Sequence, residues 1–220
     1  MIKIFFPLLI LGFGCGVRSG NLLVNPSAEI PKHDSVPVGW ENISGKWQAL
    51  EGDTLHHDFG YAKDGKYYFF GGNGLHCVLQ QDAAVSQYAN DIDGGKLRVF
   101  LSGYEQTLDQ GPVSDQGMLK VECLDMTKTK ILYSDSTDTL MSIGKWKAIA
   151  DTFLAPGLTR FIRVQLIAFR NVGGDNDGYF DDISLSASSP PNYILLVIII
   201  VATLATVTGV TIYFRKKQKK

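Results

Sequence analysis

The chain has 220 residues, 45% of them hydrophobic, with 21 Lys and Arg against 22 Asp and Glu. The formal charge of −1 hides a segregation: five basic residues stand in 215–220 and two before Asn21, which leaves 14 between Asn21 and Ser189 against all 22 acids. So acidic a middle excludes the basic patches that nucleic acids and polyanionic glycans require, and its length suits a single domain with one sizeable core.

In chain order, Met1 to Gly20 carries one Lys, the apolar stretch Ile4 to Leu11 and then small residues. This is the pattern of a secretory signal peptide (1–20), cut between Gly16 and Asn21, and too short to span a bilayer. The next region, 21–186, is made of short segments with a period of two, punctuated by Gly, Asp, Asn and Pro. The expected strands are Asn21–Val24, Lys46–Leu50, Lys66–Phe70, Cys77–Gln81, Lys96–Leu101, Met118–Cys123, Lys130–Ser134, Lys145–Ala150, Arg160–Leu166 and Gly178–Leu185, with one helical turn at Val85–Asn90. Many short alternating strands and no amphipathic helix predict an all-β sandwich, of jelly-roll type.

Residues 187–192, ending in Pro190-Pro191, form a short linker. Tyr193 to Phe214 is then a run of 22 residues without a charge, followed at once by Arg215-Lys216-Lys217. At ~1.5 Å per residue that run reaches ~33 Å, enough for a hydrocarbon core of ~30 Å. A basic cluster after the span (215–220) puts the tail in the cytoplasm and the domain outside. The expectation is a type I single-pass protein of the plasma membrane or an endomembrane. Ala205 and Gly209, four apart in the span, have the small-xxx-small spacing through which helices self-associate.

Cys15 falls in the signal, leaving Cys77 and Cys123. An oxidising compartment allows them to pair; two separately buried thiols is the alternative. Asn42-Ile43-Ser44 is an N-glycosylation sequon, whereas Asn25-Pro26-Ser27 is blocked by its proline. Catalytic signatures are missing: there is no Gly-x-Ser-x-Gly, no His-Glu-x-x-His, no phosphate-binding loop and no dinucleotide fingerprint. His76 and Cys77, adjacent on a strand, point to opposite faces, so they do not form a nucleophile and its base. His56-His57-Asp58 lacks a partner at zinc spacing, and Gly173–Gly178 lacks the glycine and glutamate of a calcium-binding helix-loop-helix.

Asn21-Leu22-Leu23-Val24-Asn25-Pro26-Ser27-Ala28-Glu29 with Val38-Gly39-Trp40, then Lys63 to Phe70, Leu79-Gln80-Gln81, and Asn176 to Leu185 in that order resemble the galactose-binding-like jelly rolls, which include many carbohydrate-binding modules. The resemblance implies a structural calcium between the first and last strands, held by Glu29, by Asp181 or Asp182, and by carbonyls near Asp64 to Lys66. It also implies recognition of glycans on glycoproteins or cell surfaces. Sugar faces stack on aromatic rings, and the candidates are Tyr104 and Trp146, with Trp47, Tyr133 and Tyr61 behind them; Trp40, Phe69, Phe153 and Phe180 are expected in the core. The expectation is a binding module and not an enzyme, with an adhesive domain that binds a protein partner as the alternative.

Overall fold

In this computed structural model the described residues are 18–31, 36–52 and 61–190. Residues 1–17 of the expected signal peptide (1–20), His56, His57 and Asp58, the 193–214 run and the 215–220 tail lie outside them. Among the described residues no helix is long and apolar enough to cross a membrane.

Among the described residues ten strands form: β1 (Glu41–Ser44), β2 (Gln48–Glu51), β3 (Tyr67–Phe70), β4 (His76–Ala84), β5 (Arg98–Thr107), β6 (Gln116–Leu124), β7 (Ile131–Ser136), β8 (Lys147–Leu154), β9 (Phe161–Phe169) and β10 (Gly178–Ser188). A 3-10 turn at Ser86–Tyr88 and the one-turn helix α1 (Ala89–Asp93) lie between β4 and β5, at the expected helical turn. The strands make two five-stranded antiparallel sheets, β1-β4-β9-β6-β7 and β2-β3-β10-β5-β8. The chain passes from one sheet to the other at every connection except β2–β3 and β6–β7, the winding of a jelly roll.

Between the sheets the alternation resolves as inward apolar and outward polar. Leu119, Val121 and Cys123 of β6 meet Ile162, Val164 and Leu166 of β9 and Val99 and Leu101 of β5 in one buried core. Trp40 stands edge-on to Phe69 at 5.1 Å, and Trp47 packs on Phe180 at 6.1 Å. Trp40, Phe69, Phe153 and Phe180 are buried as expected. Trp47 is buried with them, which removes it from the ligand-facing candidates.

Two strand expectations need correction. Asn21–Val24 is not a strand: Leu22 N–H donates to Leu185 O, but the chain then turns through Asn25 at φ +50 and Ala28 at φ +58. Asn25 tolerates the left-handed region and Pro26 lacks a donor, so a ladder cannot continue. The Asn25 amide fills the gap, accepting from Ile30 N–H and donating to Val38 O. Conversely β1 forms from Glu-Asn-Ile-Ser, without an apolar alternation, because an edge strand needs no buried face. Asn42 is exposed on that edge, its amide donating to Gly45 O.

The two cysteines are free and buried, which corrects the disulfide expectation. Both flank β9, Cys77 opposite Ala168 and Cys123 opposite Ile162. Six residues along a strand is ~20 Å, and a disulfide spans ~4.4 to 6.8 Å between Cα atoms.

The two ends of the sandwich differ. At one, β10 finishes at Ser188 opposite Arg98, which pairs with Leu154. The turns 85–97, 125–130 and 155–160 gather there, joined by Val85 N–H to Arg160 O, Arg160 N–H to Leu124 O and Ala155 N–H to Leu97 O. The N-terminal residues join this end through Arg18, which bridges Ser188, and Ser19 N–H, which donates to Ala187 O. The folded unit accordingly runs from Arg18 to Ser189. At the other end lie 71–75, 108–115 and 170–177.

Candidate functional site

The residues implied as calcium ligands converge on one segment, Lys63–Tyr67. Glu29 Oε1 accepts the N–H groups of Lys66 and Tyr67 at 2.8 and 2.7 Å. Gly65, at φ +65, lets Glu29 lie against the turn, where a Cβ would collide with the carboxylate. Asp181 Oδ2 accepts from Lys63 and Asp64 N–H at 2.7 and 3.0 Å, and its Oδ1 from Asp182 N–H at 2.7 Å. Burial outweighs these donors and pushes the Asp181 carboxyl up to about 7. Asp182 stays exposed, its carboxyl raised by partial burial and then by the nearby Asp64.

A β-bulge explains how Asp181 and Asp182 separate. The pairing of β10 with β5 shifts between Asp181 and Ser184, and Asp182 takes φ +48. Phe180 points into the core and so does Ile183, three residues on, which is the slip of a period of two that an extra residue produces. Gly103 on β5 makes room: a Cβ there would come 2.5 Å from Ile183 Cδ1. The donors facing both carboxylates are backbone N–H groups, the opposite of the carbonyls a calcium ion takes. Among the described residues no three His, Cys, Asp or Glu side chains converge as a metal site. The carboxylates suit the ion, and here each is engaged by backbone donors.

The same segment covers the preferred aromatics. Tyr104 on β5 pairs with Asp181, and the Lys63 ammonium lies 4.5 Å from the centre of its ring. The Trp146 indole donates to Tyr61 O at 3.1 Å and stands edge-on to Tyr68 at 6.1 Å. Tyr68, Phe70 and Tyr179 form a second apolar cluster on this outer face of β2-β3-β10-β5-β8, closed over by Leu50, Ala62, Leu108 and Trp146. Trp146 and Tyr104 thus share a face, each engaged by residues 61–63. Tyr133 is stacked on Phe153 at 5.0 Å, and Tyr61 is exposed.

The outer face of the other sheet carries a constellation that the sequence did not disclose. Register aligns Glu41, Gln80, Gln165, Lys120 and Ser136 across β1, β4, β9, β6 and β7. Gln165 donates to Gln80 at 3.1 Å and Gln80 to Glu41 at 2.9 Å. The adjacent row is ionic. Arg163 forks onto both oxygens of Asp82 at 2.8 and 3.2 Å and reaches Glu122 at 3.7 Å, while Lys120 holds Glu122 at 2.6 Å. Burial lifts the Asp82 carboxyl, but Arg163 and Lys128 outweigh it and hold the group below its usual range. On the other side of the amide row stand Val78, Ile167 and Met118, then His76 stacked on Phe169 at 5.0 Å. Outward polar positions such as Arg163 and Gln165 are legible from alternation; that β4, β9 and β6 are neighbours is not.

No protein-family model and no curated protein matches the chain. Among solved structures, a cyclase from Fischerella sp. TAU is similar at 12% identity and a TM-score of 0.55, over 80% of this chain and 100% of that one. The enzymatically active domain of tailspike protein 4 of bacteriophage CBA120 is similar at 10% identity and a TM-score of 0.52; the match covers 75% of this chain and only 21% of that one. A family 16 carbohydrate-binding module follows at 16% identity and a TM-score of 0.49, over 75% of this chain and 99% of that one. The likeness to the first two, at such identities, is one of fold: the β-sandwich is shared.

Proposed function

We propose that the chain is a membrane-anchored binding module whose extracellular or lumenal sandwich recognises glycans through the outer face of β1-β4-β9-β6-β7. One observation carries the reading: the amide row Glu41–Gln80–Gln165 runs beside an apolar strip in which Met118 and the stacked His76 and Phe169 rings are accessible, while Val78 and Ile167 are themselves buried. A pyranose has an apolar C–H face and a rim of hydroxyls, and it needs this combination of apolar contact and planar donors and acceptors. Anchoring is read from the uncharged 193–214 run and its basic tail. A single such site binds weakly, and crowding in the membrane plane, aided by pairing through Ala205 and Gly209, supplies avidity.

The test is an array of glycans probed with a multimerised Arg18–Ser189 fragment. Gln165→Ala is expected to weaken any saturable, sugar-competed signal about tenfold, roughly one lost buried hydrogen-bonding group, at an unchanged melting temperature. A loss confined to Tyr104→Ala would move the site to the opposite face. A blank from folded fragment would favour the adhesive, protein-binding reading.

Calcium is carried as a further proposal: Glu29 and Asp181 would exchange backbone donors for the ion. Added calcium is then expected to raise the melting temperature over that in chelator. No shift would mean that the N–H groups hold Lys63–Tyr67 unaided.

A further inference from the structure

We propose that the end of the sandwich from which β10 leaves is a lipid-contacting surface, seated on an anionic bilayer through the turns 125–130 and 155–160 and the strand ends beside them. This rests on the anchoring proposed above. β10 ends at Ser188 and the apolar run starts at Tyr193. Five residue steps reach at most ~18 Å, and the stiff Pro190-Pro191 pair lies within them. A tether this short leaves this end, and not the opposite one, within reach of the headgroups of a bilayer that the run crosses.

What stands at this end suits that neighbour. Met126, Ile131, Leu154 and Leu158 are 62, 53, 50 and 64% exposed. They belong to one corner: Tyr133 of β7 stacks on Phe153 of β8, two and one residues from Ile131 and Leu154, and Arg160 N–H ties the Leu158 turn to Leu124, two residues before Met126. Leu158 is the telling residue. It sits at a turn tip with φ +70, its N–H donating to Asp93 Oδ1. A leucine there carries backbone strain that a glycine avoids, and its exposed side chain returns nothing to the core. A contact outside the domain accounts for it.

The charges agree. The turns and strand ends here contribute Lys96, Arg98, Lys128, Lys130 and Arg160, joined by Arg18, against Asp82, Asp91, Asp93 and Asp125, with Asp82 3.2 Å from the Lys128 ammonium. Asp93 is taken up by Arg160 at 2.7 Å, and Asp125 turns onto Thr127 at 2.8 Å. The domain as a whole is acidic, so a basic end is a departure that calls for an anionic partner. An anionic leaflet attracts each such Lys or Arg within a Debye length of its surface. Exposed aliphatic tips amid basic residues are what an interfacial surface needs.

The test uses the full chain in vesicles of phosphatidylcholine, in vesicles of phosphatidylcholine and phosphatidylserine at roughly 7:3, an anionic leaflet composition, and in detergent micelles. Hydrogen exchange is read for 124–131 and 154–160 and, as the internal control, for 108–115 and 170–177. Slowing of ~3- to 10-fold is expected at the first pair in anionic vesicles, less in neutral ones, and none at the second pair. Leu158→Gly, which relieves the strained φ, and Met126→Asp are each expected to remove part of the slowing without lowering the melting temperature. Equal exchange in all three media, or slowing at both ends alike, overturns the proposal. Alkaline carbonate extraction reads the anchor separately: release of the chain sinks the anchoring, whereas a retained chain with unprotected turns sinks only the docking.

Discussion

Replacing Glu105 by Gln is expected to flatten the pH dependence of stability and to strengthen the protein at neutral and mildly alkaline pH. Glu105 lies on the inward face of β5, wholly buried, and neither carboxyl oxygen has a hydrogen-bond partner among the described residues. Its neighbours are Phe180 on β10 and Gly117 across the sandwich, where a Cβ would come 2.8 Å from Glu105 Cγ. Lys147 pairs with it on β8 and favours the charge, but burial prevails and pushes the carboxyl from 4.5 up to about 8. Between those values the folded state binds a proton that the unfolded chain has released. Stability from this group is therefore full below pH 4.5 and declines as pH rises through about 8. At ~1.4 kcal/mol per pH unit the span amounts to about 4 to 5 kcal/mol, as an upper bound. Denaturant midpoints across pH 4 to 9, a range of about five units around that window, check this. Parallel profiles for the two proteins would show that Glu105 finds water or a partner when ionised.

Much of the fold was legible because burial on one face writes itself into alternate residues: Leu119-Val121-Cys123 and Ile162-Val164-Leu166 identified β6 and β9 without any knowledge of their partners. The aspartates of β10 were harder. A strict period of two sends Asp181 and Asp182 to opposite faces, whereas the bulge spends Asp182 on a left-handed turn and restores Ile183 to the core. Asn25, just past the expected first strand, proved to be a hydrogen-bonding hub, since an amide's reach across 13 residues leaves no local trace. The aromatic candidates were found on one face but not free on it. Tyr104 and Trp146 carry no mark in sequence of the segment 61–63 that meets them. The amide and ionic rows of the other face depend on strand order, which only the assembled sheet supplies.

Asp115→Ala is expected to cost about 3 to 5 kcal/mol, the other large effect. The side chain is wholly buried and accepts three backbone N–H groups: Asn171 at 2.6 Å and Val172 at 3.1 Å on Oδ1, and Asp177 at 2.7 Å on Oδ2. It ties the β9–β10 connection to the start of β6. Alanine strands those donors at ~1 to 3 kcal/mol each, less what the loop recovers by relaxing toward water. Asp115→Asn, which keeps one acceptor oxygen, should fall between alanine and the native protein. Urea unfolding gives the total, and hydrogen exchange at Asn171, Val172 and Asp177 against β9 shows whether the loss starts locally. A cost under ~1 kcal/mol would assign the loop instead to Arg170, which donates to Asn73 O and Gly174 O.

The distance between Cys77 and Cys123 bears on how the domain is made. A sandwich whose thiols sit ~20 Å apart on either side of β9 needs no oxidant, no isomerase and no particular redox history to reach its native state. Burial pushes the Cys123 thiol up to about 12 and raises that of Cys77 as well, so neither supplies thiolate for exchange while the domain stays closed. The domain can be produced in a reducing cytosol, and its two thiols, one toward each end of the sandwich, serve as native gauges of which end opens first.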